Sequence, residues 1–457
     1  MGISDNMSDV AKTFGKDGGM RSFMLVWSGQ FVSILGSTMT FFGLAIWAWL
    51  MTGQATALAL VGFFSFGPTI LLSPVAGALV DRWDRKTTMI LSDLASGLGT
   101  ATILILYSTG ALAIWHLYIV CAITGAFGAF QFPAYSAAIS MMVEKRHYGR
   151  ANAMLGMADS GSTIIAPVLA AALLIPIGIV GIMVIDIVTF VYAIAVILFV
   201  RIPNPPPSED GRKGAGSIWK ESLYGFKYIK ERRGLMGLLM FFLAFNLIAT
   251  MGHVLMTPMI LARTGSNSVA LGTVQSMFGL GGVIGGIIVA VWGGPKYRVG
   301  GIIMGIAGSC LFGTVLMGLG QSLAMWAMAA FMISVFSPVV GASSQSIWQS
   351  KVAPDLQGRV FASRRMLAQI CIPISMLMAG PLADRVFEPG MAPGGSLASV
   401  FGGMVGTGPG AGMGLMLLIS GLLCLVVCAA AYASPTIRNL ESSIPDHDVA
   451  QATPAAA

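Results

Sequence analysis

Gly77-Ala78-Leu79-Val80-Asp81-Arg82-Trp83-Asp84-Arg85-Lys86 is a short charged join between two apolar runs, 57–80 before it and 86–108 after it. Each run is longer than the roughly 20 apolar residues that carry a helix across a hydrocarbon core of about 30 Å. The join therefore lies at a membrane surface and brings two spanning helices together. The same alternation of apolar run and charged break continues along the 457 residues. Hydrophobic residues make up 56% of the chain and charged residues 10%, against roughly a quarter charged in soluble domains, and a soluble fold cannot cover that much apolar surface. Backbone groups in hydrocarbon must be satisfied internally, by helices or closed barrels. The runs are too long and too continuous for strands of about ten alternating residues.

Counting outward from the join predicts twelve spanning helices, at 22–50, 57–80, 86–108, 114–142, 148–176, 178–200, 235–262, 268–292, 299–320, 322–350, 359–384 and 409–433. Lys and Arg test this count, because they are retained in cytoplasmic loops. With the N-terminus inside, only Arg263 and Arg385 of the 26 fall on the outer side. Both termini are then cytoplasmic, and the first helix is expected to follow a charged leader (Lys12, Lys16, Arg21) without cleavage. The net charge of +7 sits in the joins and so reflects topology; no nucleic-acid partner is expected. The five cysteines all lie in apolar runs without CxxC spacing, as packing residues do.

The organisation expected is a cytoplasmic leader (1–21), a six-helix bundle (22–200), a cytoplasmic linker with a basic amphipathic helix (201–234), a second six-helix bundle (235–433) and a solvated cytoplasmic tail (434–457). The halves resemble one another weakly. Phe132-Pro133 is followed by Gly149-Arg150-Ala151-Asn152-Ala153, and Ser337-Pro338 by Gly358-Arg359-Val360-Phe361-Ala362. Duplicated six-helix units place a substrate site near the midplane between them. The Gly- and Pro-rich stretch 385–409 is expected to be a loop over the outer vestibule.

In the join, Gly77 allows close backbone approach, and Asp81 can face the positive end of a neighbouring helix while Arg85 and Lys86 pair with carboxylates. That cluster reads either as a conformational latch or as charge placed for topology. The run resembles the loop signature of the major facilitator superfamily, approximately G-x-L-x-D-R-x-x-R-K, with Asp84 where the family usually has Gly. The resemblance extends through Gly29-Gln30, Pro133-Ala134, Arg150 to Ala153, Gly358 to Ala362 and Gly380-Pro381-Leu382-Ala383-Asp384, and is closest to the drug:proton antiporter branch of macrolide and siderophore exporters. It implies that Gly77, Asp81, Arg82, Arg85 and Lys86 form a conformational switch, and that Pro133, Arg150, Asn152, Pro167, Pro338 and Arg359 are structural motif residues. The glycine-rich fifth-helix motif of neighbouring exporters is replaced here by Ala166-Pro167-Val168-Leu169-Ala170-Ala171.

Ionisable groups inside spans are costly and mark functional sites. Asp93, Asp159 and Asp186 qualify as proton carriers. Asp93 alternatively pairs with the cytoplasmic charge cluster, and Asp186 alternatively faces the outer aqueous funnel. His253 reads as a packing residue. Amides at membrane depth must face protein or water. Among them Gln30, Gln131, Asn246 and Gln275 are the expected cavity lining, by depth and by analogy with the fold the resemblance implies. The thirty methionines would suit a pliable apolar pocket. No phosphate loop, HExxH pair or catalytic triad accompanies these groups, so an ATP-driven pump or a membrane enzyme is disfavoured, and no cofactor or metal is expected. The expectation is a monomeric, multi-pass bacterial cell-membrane transporter that exports a small amphiphilic molecule in exchange for protons. Uptake or lipid movement by the same fold is the alternative.

Overall fold

The computed structural model describes residues 19–80, 83–143, 148–200, 226–352 and 354–445, together with most of the side chains within them. Among these residues all regular structure is helical, and eleven helices are long and apolar enough to cross a membrane. The first four are α1 (Gly19–Thr52), α2 (Ala55–Val80), α3 (Arg85–Ser108) and α4 (Ile114–Met142). Helix α5 (Tyr148–Phe199) has 52 residues, roughly 78 Å at 1.5 Å per residue, which is over twice the core thickness. It is broken at Gly178, where φ is 65° and ψ is −177°, a backbone geometry open to glycine alone. Its two arms are each long enough for a crossing, which makes twelve among the described residues.

The second half contains α6 (Arg233–Arg263), α7 (Ser268–Trp292), α8 (Arg298–Leu319) and α9 (Leu323–Lys351). It continues with α10 (Pro354–Gln369), α11 (Cys371–Leu382), a short α12 (Ala398–Val405) and α13 (Ala411–Ala433). Helices α10 and α11 share one span, Met366–Met391, which passes through a π-turn over Ala383–Phe387 and ends in a helical turn, Glu388–Met391.

The chain divides into two compact units, Met1–Met51 with Phe64–Ala215, and Thr52–Phe63 with Gly216–Ala457. The start of α2 thus belongs with the second unit and its remainder with the first. Phe23, Met89, Ala138 and Ile197 pack in the core of the first unit; Leu235, Leu238, Ile302, Trp348 and Cys424 pack in the second. Close approach of α7 and α9 depends on a small-residue face, as GxxxG spacing predicts. A Cβ at Gly281 or Gly285 would fall on the carbonyl oxygen of Phe331 or Val335.

Two expectations need correction. The tail is not solvated over its first turns. Leu440 is fully buried and Ile437 nearly so, because they fill the space left by Gly234 and Gly237 of α6. Lys351 donates to the carbonyls of Glu441 and Ile444, and Glu441 Oε1 accepts from Val299 N at 2.7 Å. Likewise 385–409 is largely helical. There Glu388 accepts from Gly410 N and Met413 N at 3.0 and 2.8 Å and caps α13. Arg263 donates to the carbonyls of Gly320, Val405 and Gly410, tying the end of α6 to this segment.

Candidate transport site

Three polar side chains from three helices converge within the first unit. Gln30 of α1 donates through Nε2 to Asp93 Oδ2 at 2.7 Å, and Gln131 of α4 donates through Nε2 to Asp93 Oδ1 at 2.6 Å. The two amides are themselves joined, Gln131 Nε2 to Gln30 Oε1 at 3.2 Å. Asp93 is 3% exposed and Gln30 2%. Among the described residues no salt bridge to a basic side chain is found for Asp93. Among the described residues the partners of this carboxylate are amide N–H groups, and each such bond to an ionised group is of the stronger kind. The hydroxyl of Tyr135, on the same face of α4 one turn beyond Gln131, is buried without a hydrogen-bond partner.

Asp186, on the second arm of α5, is 2% exposed rather than facing a funnel. Its Oδ1 accepts from Ser37 Oγ at 2.9 Å and its Oδ2 from Thr100 Oγ1 at 2.8 Å. Asp159 lies on α5 and its side chain is outside the described residues.

The second unit holds a cavity of about 590 Å³ lined by Phe242, Asn246, Gln345, Trp348, Arg364 and Gln369, among others. Asn246 Nδ2 donates to the carbonyl of Ala368 at 3.0 Å. Arg364 donates to Gln345 Oε1 at 3.2 Å and Ser344 Oγ at 2.8 Å, and its guanidinium carbon lies 5.1 Å from the Trp348 ring centroid, within cation–π range. Aromatic faces with a few convergent polar groups suit a small organic molecule. Gln275 is half-buried on α7 and does not line this cavity. Arg364 departs from expectation, since its charge reads as topological beside Arg365, yet it turns inward. His253 packs its ring against Phe278 at 5.6 Å.

Of the join, Asp81 and Arg82 lie outside the described residues, as do the surroundings of Gly77 and the side chains of Arg150, Asn152 and Arg359. Asp84 caps α3, where its Oδ2 accepts from Thr87 N and Thr87 Oγ1 at 2.7 and 2.6 Å. The glycine usual at this position would lack that N-cap. Among the described residues Lys86 has backbone carbonyls as its hydrogen-bond partners. Its Nζ donates to the carbonyls of Leu198 and Val200 at 2.8 and 3.0 Å, the negative end of the α5 dipole. Arg85 opens α3. Pro133 lies inside α4 and Pro167 inside α5, while Pro338 starts the second segment of α9.

An arrangement like the one expected of Asp81 is found at Asp384. Asp384 Oδ1 accepts from Ala55 N at 2.9 Å, and its Oδ2 from Thr56 N at 2.8 Å and Thr56 Oγ1 at 2.6 Å, capping the N-terminus of α2. The signal for it is in the sequence, because Gly77-Ala78-Leu79-Val80-Asp81-Arg82 recurs as Gly380-Pro381-Leu382-Ala383-Asp384-Arg385. A Cβ at Gly380 would meet the Thr56 backbone, its nitrogen at 2.9 Å, so glycine is what admits α2.

Comparison with known proteins gives a consistent result. The family described as Major Facilitator Superfamily matches residues 26–376. Macrolide efflux protein A of Streptococcus pyogenes is 24% identical over 365 residues, 80% of this chain and 90% of that protein. The protein of the same name from Enterococcus faecalis is 24% identical over 332 residues, 71% and 99% of the two chains. A solved bacterial homologue of the human lysosomal transporter Spinster superposes with a TM-score of 0.65 at 14% identity, over 93% of this chain and 98% of that one. A bacterial homologue of the iron transporter ferroportin gives 0.59 at 13%, over 91% and 99%. These two likenesses concern the fold.

Proposed function

We propose that this chain, which belongs to the Major Facilitator Superfamily and is a multi-pass cell-membrane transporter rather than an enzyme, exports a small amphiphilic compound by proton antiport, with Asp93 carrying the proton. The observation that supports this reading is the buried Asp93 carboxylate held between Gln30 and Gln131. When ionised, Asp93 accepts from both amides. When protonated, it becomes a donor, and one amide must release it or turn its oxygen toward it. Protonation therefore rearranges the contact of α1, α3 and α4, which gives a proton differential contacts in two conformations, as coupling requires. Asp159 and Asp186 are the other acids that could share the role.

The cavity around Asn246, Trp348 and Arg364 offers the cargo aromatic surface and a few directed polar groups. The 77–86 join serves as a switch in this scheme, with Lys86 already bound to the end of α5. Outward direction and cargo class are suggested by the names of the macrolide efflux relatives.

The test is transport of a macrolide in proteoliposomes of purified protein under an imposed pH gradient. Wild type is expected to concentrate the macrolide against its gradient. Asp93→Asn should abolish that accumulation while retaining downhill exchange. Gradient-driven accumulation by Asp93→Asn at the wild-type rate would remove Asp93 from the mechanism.

A further inference from the structure

The surroundings of Asp186 differ in chemistry from those of Asp93. At Asp93 both carboxylate oxygens face amide N–H donors. At Asp186 every side-chain neighbour bonded to the carboxylate is a hydroxyl: Ser37 from α1 and Thr100 from α3. Thr40, one turn beyond Ser37 on α1 and 4% exposed, lies near the same carboxylate, with its buried hydroxyl outside hydrogen-bond geometry to any partner among the described residues. The Thr189 hydroxyl lies beside the group and donates to the Asp186 carbonyl at 2.8 Å. A Cβ on Gly36 would lie 2.5 Å from Thr189 Oγ1 and 3.1 Å from Asp186 Oδ1, so only glycine lets α1 seat against this group.

A hydroxyl can turn either its proton or its lone pairs inward, whereas an amide N–H can only donate. Four hydroxyl oxygens and a carboxylate from three helices thus form an oxygen-only donor set, which suits hard cations. The charge of the set is a single negative one. No group of three or more His, Cys, Asp or Glu exists among the described residues that would hold a transition metal. A carboxylate buried this deeply also needs a counter-charge or a proton, and no salt bridge to it is found among the described residues. Among the described residues the buried Thr40 hydroxyl has no hydrogen-bond partner, which leaves its oxygen available to a ligand.

We propose that Asp186, Ser37, Thr40 and Thr100, with Thr189 beside them, form a binding site for one dehydrated monovalent cation of the size and hardness of Na+. This site is separate from the Asp93 proton site and does not depend on the antiport reading. Na+ neutralises Asp186 and ties α1, α3 and the second arm of α5 together, so binding stabilises the first unit by mass action.

The experiment uses the purified full-length protein in detergent, with NaCl exchanged for choline chloride at constant ionic strength. Equilibrium binding of radioactive Na+ and thermal stability are read in parallel. Wild type is expected to bind Na+ saturably, about one ion per chain, with Tm rising over the same range. Asp186→Asn should lose binding and the Tm response, and Thr40→Ala should weaken binding by about tenfold. Asp93→Asn should keep both, which separates failure of this proposal from failure of the proton reading. Absence of saturable Na+ binding by wild type overturns the proposal whatever the variants do. So does a Tm that responds to pH but equally to Na+ and choline, which would make Asp186 a proton site. Undiminished Na+ binding by a folded Asp186→Asn or Thr40→Ala variant would overturn it as well.

Discussion

Replacing Asp384 by Ala strips the first turn of α2 of three acceptor contacts, from Ala55 N, Thr56 N and Thr56 Oγ1. The two N–H groups are among the four that a helix start cannot satisfy internally. Loss of a capping side chain costs about 0.5–2 kcal/mol, and loss of the carboxylate from the positive helix end adds about 0.3–1 kcal/mol. With Ala55 fully buried and Asp384 half-buried, a local cost of about 2 kcal/mol is expected. That corresponds to roughly thirtyfold faster opening-limited amide exchange, at tenfold per 1.4 kcal/mol. Hydrogen–deuterium exchange with mass spectrometry on peptides covering 53–60 measures this directly, with peptides from α4 as internal reference. Asp384→Asn retains one acceptor oxygen and should show a smaller effect. Gly380→Ala retains the carboxylate but pushes the Thr56 backbone away, and should approach the Asp384→Ala result. Unchanged exchange over 53–60 in both Asp384→Ala and Gly380→Ala would refute the cap as the element holding the start of α2.

Gly285→Val places side-chain atoms against the Val335 carbonyl and should destabilise by about 3 kcal/mol, seen as a lower Tm and loss of monodispersity. Gly286→Val, which meets nothing within 4 Å, should behave as wild type; equal damage from both would remove the close-packing account. Arg364→Gln keeps donors toward Gln345 and Ser344 but deletes a cavity charge, on the order of 1 kcal/mol or about fivefold in apparent KM. Transport of a cationic cargo should improve and of an anionic one worsen, measured side by side in proteoliposomes. Shifts in the same direction for both would argue against an electrostatic role.

The twelve crossings were legible because apolar length and the Lys/Arg bias are one-dimensional signals, and the α5 break at Gly178 falls where the run pauses. Asp93, Gln30 and Gln131 were each legible as polar groups at membrane depth, but their meeting was not. Contact depends on the rotation of three helices about their axes, which packing sets and spacing does not. Arg364 misleads for a different reason. It stands among Arg359 and Arg365, where a basic cluster reads as topology, and only the fold shows that one of the cluster turns toward Trp348. The Asp384 cap was written in the chain as a recurring G-x-L-x-D-R pattern, legible once the join at 77–82 is compared with 380–385.

The Asp384 cap also bears on the order in which the molecule is made. Ala55 leaves the ribosome 329 residues before its partner carboxylate, a delay of roughly 15–65 s at ordinary synthesis rates of about 5–20 residues per second. Through that interval the first turn of α2 has its N–H groups satisfied by water or lipid headgroups, and Gly380 has not yet arrived to define how close a neighbour must come. The first half of the chain can therefore insert its helices but cannot finish one of them. Co-expressing residues 1–215 with residues 216–457 as separate chains would supply the cap late and in trans, whereas the first fragment alone would keep an unfinished end.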